Sequence, residues 1–278
     1  MHYLRPETLD QALAALAEAR PRIAAGCTDL FPMTPTRGLP GPVLDITGIA
    51  GLRGIARTPD GLRIGAATTW TDILRADLPP ALRGLQLAAR EVGARQIQNR
   101  GTLAGNLCNA SPAADGVPPL LTLDAQVELQ SVAGSRSLPL AQFITGPRQT
   151  ALQSGEMVTA IHLPEAALRG QSHFLKLGAR AYLVISIAMC AVRIEVGDGV
   201  VTDAALSIGA CGPLALRLGA VEAALVGHPL DPSRVTDAAV AAALSPIDDV
   251  RADARYRSEA AAEVLRRTLA AMAAEEVA

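Results

Sequence analysis

The span Gly101-Thr102-Leu103-Ala104-Gly105-Asn106 constrains the chain more than any other. Two glycines, a hydroxyl and a carboxamide fall within six residues, a composition that exposes backbone instead of filling a core. Successive backbone N–H groups in such a loop cradle an anion. A second span of the same character, Ala25-Gly26-Cys27-Thr28-Asp29-Leu30, directly follows a short strand-like run at 22–25. Together the two loops suit a diphosphate gripped from both sides by neutral donors. Neither contains lysine, which argues against the G-x-x-x-x-G-K-[ST] triphosphate loop. No G-x-G-x-x-G follows a strand, so a Rossmann site is not supported. Taken singly, Gly26 or Gly105 reads as readily as an ordinary turn residue.

Periodicity sets these loops in an α+β frame. Thr8 to Gln11 reads as a capping box opening a helix over 8–20, stopped at Pro21. Strands are expected at 22–25, 43–46, 62–66 and 156–163, and helices at 69–76, 80–92 and 118–123. Residues 125–130 and 135–140 read as a hairpin about Ala133-Gly134. A polar, broken stretch at 165–172 suggests a boundary, dividing the chain into 1–168 and 169–278. The second part reads as strands at 174–177, 184–195 and 201–208, then helices at 216–225, 235–244 and 258–274.

Charge is nearly balanced, 25 basic against 27 acidic residues, so a basic nucleic-acid surface is not expected. No apolar run approaches the roughly 20 residues of a membrane span, and residues 1–7 contain no apolar signal region, so a cytoplasmic protein is expected. The four cysteines, Cys27, Cys108, Cys190 and Cys211, form no C-x-x-C pair, so neither zinc nor an iron–sulfur cluster is expected on this chain. His2, His162, His173 and His228 are scattered and read as structural, and Trp70 reads as core.

Ala24-Ala25-Gly26-Cys27-Thr28-Asp29-Leu30 is similar to the first flavin loop of the FAD-binding medium subunits of molybdenum hydroxylases. Asn99-Arg100-Gly101-Thr102-Leu103-Ala104-Gly105-Asn106, continued by Ala110-Ser111-Pro112 and Asp115, resembles their second loop. Tyr3 to Leu9, residues 62–69, Phe174 to Leu177 with Arg180, and Asp249 to Ala252 with Tyr256-Arg257 extend the likeness along almost the whole chain. The resemblance implies a two-part N-terminal FAD-binding domain of the PCMH (vanillyl-alcohol-oxidase-like) type and a C-terminal domain of antiparallel strands packed on helices. It also implies an electron-transfer role. Electrons from a large molybdopterin-binding subunit would cross [2Fe–2S] clusters on a small subunit and pass through FAD to an acceptor such as NAD, within a dimer of heterotrimers. The alternatives are a free-standing FAD-dependent oxidase or reductase, and a flavin-free assembly protein.

By the same resemblance, Ile23, Ala24, Ala25, Gly26, Cys27, Thr28, Asp29 and Leu30 wrap the FAD pyrophosphate, with Gly101, Thr102, Gly105 and Asn106 opposite. Cys108 lies at the flavin-facing end of the second loop and Val158 near the adenine. Asp115 accepts from ribityl or ribose hydroxyls; read from its residues alone, it is also a helix N-cap. Lys176, the only lysine, belongs near the ribityl–isoalloxazine end, with Tyr182 and Val184 beside the ring. No catalytic acid, base or nucleophile stands out, and none is required where a flavin carries the chemistry. Cys27 and Ala104 replace glycines of the pattern, Gln98 an arginine and Leu183 an aspartate. Both Cys and Ala are small, so cofactor binding is expected to survive where neither position takes a positive φ. Cys27 and Cys108, on facing loops, are expected near one another.

Overall fold

A computed structural model describes residues 3–35 and 38–276; the expectation for His2 lies outside them. The chain opens with β1 (Tyr3–Leu4), helix α1 (Leu9–Ala19), β2 (Arg22–Ala24) and β3 (Val43–Asp45). The three strands form a parallel sheet in the order β1-β3-β2. Thr8 caps α1 by accepting from the Gln11 N–H. The Gln11 side chain reaches back to the Glu7 N–H, one residue before the cap. Arg20, left-handed at φ +44°, ends the helix ahead of Pro21.

A hairpin follows, β4 (Ile55–Thr58) and β5 (Gly61–Gly65), then helices α2 (Trp70–Arg75), α3 (Arg83–Glu91), α4 (Arg95–Gln98), α5 (Leu103–Asn109) and α6 (Val117–Thr122). Next come β6 (Gln126–Ser131), β7 (Gly134–Pro139), α7 (Leu140–Phe143), the small hairpin β8 (Ile144–Gly146) and β9 (Gln149–Thr150), and β10 (Met157–Pro164). β10 runs between β5 and β6, giving an antiparallel sheet β4-β5-β10-β6-β7. Its register shifts between Val158 and Ala160, a local bulge.

The C-terminal part is an antiparallel sheet of β11 (Gln171–Leu177), β12 (Ala188–Gly197), β13 (Val200–Gly209) and β14 (Leu216–Arg217), covered by α8 (Gly219–Leu225), α9 (Asp237–Ala241) and the 23-residue α10 (Ala254–Glu276). Its core draws Val192, Leu206 and Ile208 from the sheet and Leu265 and Leu269 from α10. Residues 184–187, expected as the start of a strand, are irregular, and β12 starts only at Ala188. Leu216 and Arg217, expected as helix, pair with β13.

Helix α6 joins the two halves. All six of its residues are buried, because it is enclosed between the N-terminal core and the face of β12 and β13. Its last carbonyls are satisfied across the boundary. Arg193 Nε donates to Thr122 O at 2.9 Å, and Arg217 Nη1 to Leu121 O at 3.2 Å. Each bond from a charged donor contributes about 1.5–3 kcal/mol. Gly84 of α3 sits against β11: its N–H donates to Ser172 Oγ at 2.8 Å, and a Cβ there would stand 3.0 Å from His173 O. These joints hold both halves about a large cavity.

Candidate functional site

The cavity measures about 850 Å³, toward the upper end of the usual range for ligand clefts. Ile23, Ala25, Gly26, Cys27, Thr28, Asp29 and Leu30 line one side; Gly101, Thr102, Gly105, Asn106 and Cys108 line the other. Val158 contributes from β10, immediately before the bulge. Ala24 is absent from the lining because its side chain packs with Leu39 and Val43. Asp115 and Lys176 also lie outside it: Lys176 Nζ donates to Asp115 Oδ1 at 2.9 Å instead.

The two loops touch. A Cβ at Gly26 would stand 1.9 Å from Arg100 O and 2.9 Å from Gly101 Cα, so only glycine lets the backbones approach this closely. Across the contact, Gly101 leaves room for Thr28, whose Oγ1 would lie 3.3 Å from a Cβ there. Trp70 is 1% exposed yet forms part of the cavity floor. Its ring fits beneath two glycines: a Cβ at Gly116 would meet Cη2 at 2.6 Å and one at Gly101 would meet Cδ1 at 3.2 Å. The expectation of a plain core tryptophan was therefore incomplete.

The loops differ in what they offer. Among the described residues, the backbone N–H groups of Gly26, Cys27, Thr28 and Asp29 donate to no protein acceptor, which leaves a run of donors for an anion. In the second loop most of the amides are already used. Gly101 donates to Ile97 O, Leu103 to Thr68 O, Ala104 to Ala66 O, Gly105 to Thr102 Oγ1 and Asn106 to Thr102 O. Among the described residues, the Thr102 N–H of that loop donates to no protein acceptor; beside it the loop offers the Thr102 hydroxyl hydrogen, its oxygen already accepting, and the Asn106 NH2, whose Oδ1 accepts from the Gly116 N–H at 3.2 Å.

Cys27 takes φ +62°, so the proviso attached to this substitution is not met; Ala104, inside α5, takes no positive φ. An L-residue there carries a cost of roughly 1–2 kcal/mol. Burial and the nearby Asp45 carboxylate push the Cys27 thiol above its ordinary value, against the pull of Arg100. Cys108 is exposed and lines the same cavity as Cys27.

At Asp115, burial raises the carboxyl to about 6, opposed by Lys176. Ser186 Oγ stands 3.5 Å from the same Oδ1. Ile185 lines the cavity, whereas Tyr182 and Val184 do not. The sequence reading also missed Met33, Asn109 and Arg148. Arg148 is drawn in because its N–H donates to Ala110 O at 2.8 Å and its guanidinium to Asn109 O at 3.3 Å; only this contact between distant segments could have found it. Among the described residues no cluster of His, Cys, Asp and Glu could hold a metal, and no helix is long and apolar enough to cross a membrane.

A two-domain chain with a diphosphate-suited cleft is the architecture of a flavoprotein subunit, and comparison with known proteins specifies which. Residues 1–166 match the family model for the FAD binding domain in molybdopterin dehydrogenase, and residues 173–272 that for the CO dehydrogenase flavoprotein C-terminal domain. The chain belongs to the family of FAD-binding subunits of molybdenum hydroxylases, an oxidoreductase family. It is 36% identical over 237 residues to the nicotinate dehydrogenase FAD-subunit of Eubacterium barkeri, covering 82% of this chain and 80% of that one. It is 33% identical over 235 residues to the xanthine dehydrogenase FAD-binding subunit of Escherichia coli O157:H7, with coverage of 82% and 80%. Its fold is similar to that of a chain in reconstituted CO dehydrogenase from Oligotropha carboxidovorans, with TM-score 0.90, 28% identity, and coverage of 97% and 96%.

Proposed function

We propose that this chain holds FAD in the 850 Å³ cavity and serves as the electron-transfer subunit of a molybdenum-containing hydroxylase. The free N–H groups of Gly26 to Asp29, set where Gly26 packs on Arg100, carry this reading. Those donors would bind the pyrophosphate from one side, with Thr102 and Asn106 opposite. Gly105 leaves the approach open. Val158 supplies apolar surface for the adenine, and Ile185 for the ring system. When bound, FAD supplies electron transfer between [2Fe–2S] clusters of a small partner subunit and an acceptor such as NAD, substrate being oxidised at molybdopterin on a large partner. The chain's own contribution is position and a partly apolar cleft; it needs no acid or base.

The relatives, each a subunit of a dehydrogenase by name, support an assembly of unlike subunits, which we take to be a dimer of heterotrimers. We divide the chain at residue 168, so that 1–168 forms most of the cleft and 169–278 closes it. The test is direct. Purified full-length chain is mixed with FAD and desalted: protein that emerges yellow, with flavin in near-equimolar amount, supports the proposal. Colourless protein that takes up no FAD overturns it.

A further inference from the structure

β10 changes step where it borders the cavity. Val158 pairs with Leu129 and Ala160 with Glu128, so Thr159 is the extra residue of the bulge. The bulge changes which face the side chains take. In a regular strand residues three apart point to opposite sides of the sheet, yet Val158 and Ile161 both pack in the N-terminal core with Val127 and Leu129 of β6. Val158 also lines the cavity. So does Ala66, whose N–H ties it to the bulge by donating to Thr159 O at 3.0 Å.

The bulge is gripped from the other side of the sheet. Glu128, between Val127 and Leu129, points away from that core. Thr159 is fully buried, and its Oγ1 donates to Glu128 Oε1. Gln130 Nε2 donates to the same oxygen at 3.0 Å, and His162 Nε2 lies 2.8 Å from Oε2. Arg63 Nη2 stands 3.9 Å from Oε1 and 3.5 Å from Thr159 O. Side chains of β5, β6 and β10 therefore converge on Glu128, which in turn holds the Thr159 hydroxyl.

We propose that Thr159 and Glu128 are positioning residues that fix the β10 bulge and so hold Val158 in the cavity as the wall against which adenine packs. Neither lines the cavity; both act through Val158. The inference deepens the FAD reading above and rests on it.

The full-length chain is prepared as Val158→Ala, Thr159→Val, Thr159→Ser and the Val158→Ala/Thr159→Val double variant. FAD affinity is measured by flavin fluorescence, and ADP, which carries the adenine without the flavin, is titrated as competitor. Val158→Ala is expected to weaken FAD about fivefold, the scale of one to two apolar groups. Thr159→Val keeps the shape, removes the hydroxyl and withdraws the same wall, so FAD and ADP should both weaken by about that factor. Thr159→Ser keeps the hydroxyl and should bind within about twofold of wild type. The double variant should be at most about twofold weaker than either single one, because both changes act on one contact. Unchanged FAD affinity in Thr159→Val overturns the proposal. So does an ADP affinity that holds while that of FAD falls, and so do losses that multiply to about 25-fold in the double variant. Should Thr159→Val not fold, Glu128→Ala removes the same grip from its partly exposed side: an equal loss is expected, and unchanged affinity overturns the proposal. A wild-type chain that binds neither FAD nor ADP overturns the functional reading and this inference with it.

Discussion

Gly26→Ala will force the two cofactor loops apart. The added Cβ would stand 1.9 Å from Arg100 O, 2.6 Å from Arg100 C and 2.9 Å from Gly101 Cα. All three are backbone atoms, so no side-chain rotation relieves the clash. Ordinary contact begins at 3.4 Å, which requires the loops to separate by about 1.5 Å. Overpacking of this kind costs about 1–3 kcal/mol, and a displacement of about 1 Å in a positioned site is worth about 100-fold. Kd for FAD is therefore expected to rise about 100-fold, equivalent to about 2.7 kcal/mol. The FAD-free melting temperature should fall by only a few degrees. A flavin fluorescence titration and a thermal melt read the two effects separately. Gly105→Ala is the comparison: its Cβ would meet Thr102 Oγ1 at 2.7 Å, the end of a rotatable side chain, so a smaller loss is expected. If Gly26→Ala binds FAD within about threefold of wild type, loop contact does not set the site and the reasoning fails.

Cys27→Gly removes the left-handed strain at φ +62°, roughly 1–2 kcal/mol against glycine's entropy cost of roughly 0.5–1. The melting temperature should therefore rise slightly, whereas Cys27→Val should lower it; the reverse order in calorimetry would contradict the strain. Arg257 is a buried cation whose Nη1 donates to Ile187 O at 2.6 Å and Ala210 O at 2.8 Å, and whose Nη2 meets Asp249 at 2.6 Å. Arg257→Ala should cost about 3–5 kcal/mol, read by urea denaturation. Backbone and arginine hydrogen bonds hold the Asp249 carboxyl down at about 2. Its contribution is thus present above the unfolded value of about 3.9 and is lost as pH falls from about 4 toward 2; Asp249→Asn should flatten that part of an acid titration. Lys176→Met removes the cation that opposes burial at Asp115, where Glu91 pushes the same way. A carboxyl whose folded value is raised stabilises most when protonated. The melting temperature of Lys176→Met should therefore rise as pH falls from about 8 to 6, and that of the Asp115→Asn/Lys176→Met double variant should not.

Local signals carried far in this sequence. Thr8 and Thr69 cap their helices through side-chain contacts within three residues, and both cofactor loops stand out by composition alone. What stayed hidden depends on distant partners. The amides of 103 and 104 are taken by Thr68 O and Ala66 O, more than thirty residues away; from the sequence they looked free. The positive φ of Cys27 is encoded by no local pattern, nor is the approach of Arg100 to Gly26. Ile185, not its neighbours Tyr182 and Val184, lines the cavity, and the strand expected from residue 184 starts only at Ala188. The Lys176–Asp115 pair joins residues 61 apart in the chain, so neither side chain's partner could be read from its neighbours.

The indole beneath Gly101 and Gly116 has a practical consequence. It is the chain's only tryptophan, and it sits in the floor of the cleft, screened from water. Ultraviolet emission from the whole molecule is therefore dominated by one fluorophore at one known place. A chromophore seated in the cleft lies close enough to drain that emission, and a shift of the loops changes its colour. The protein carries its own optical gauge of occupancy, and no label need be attached.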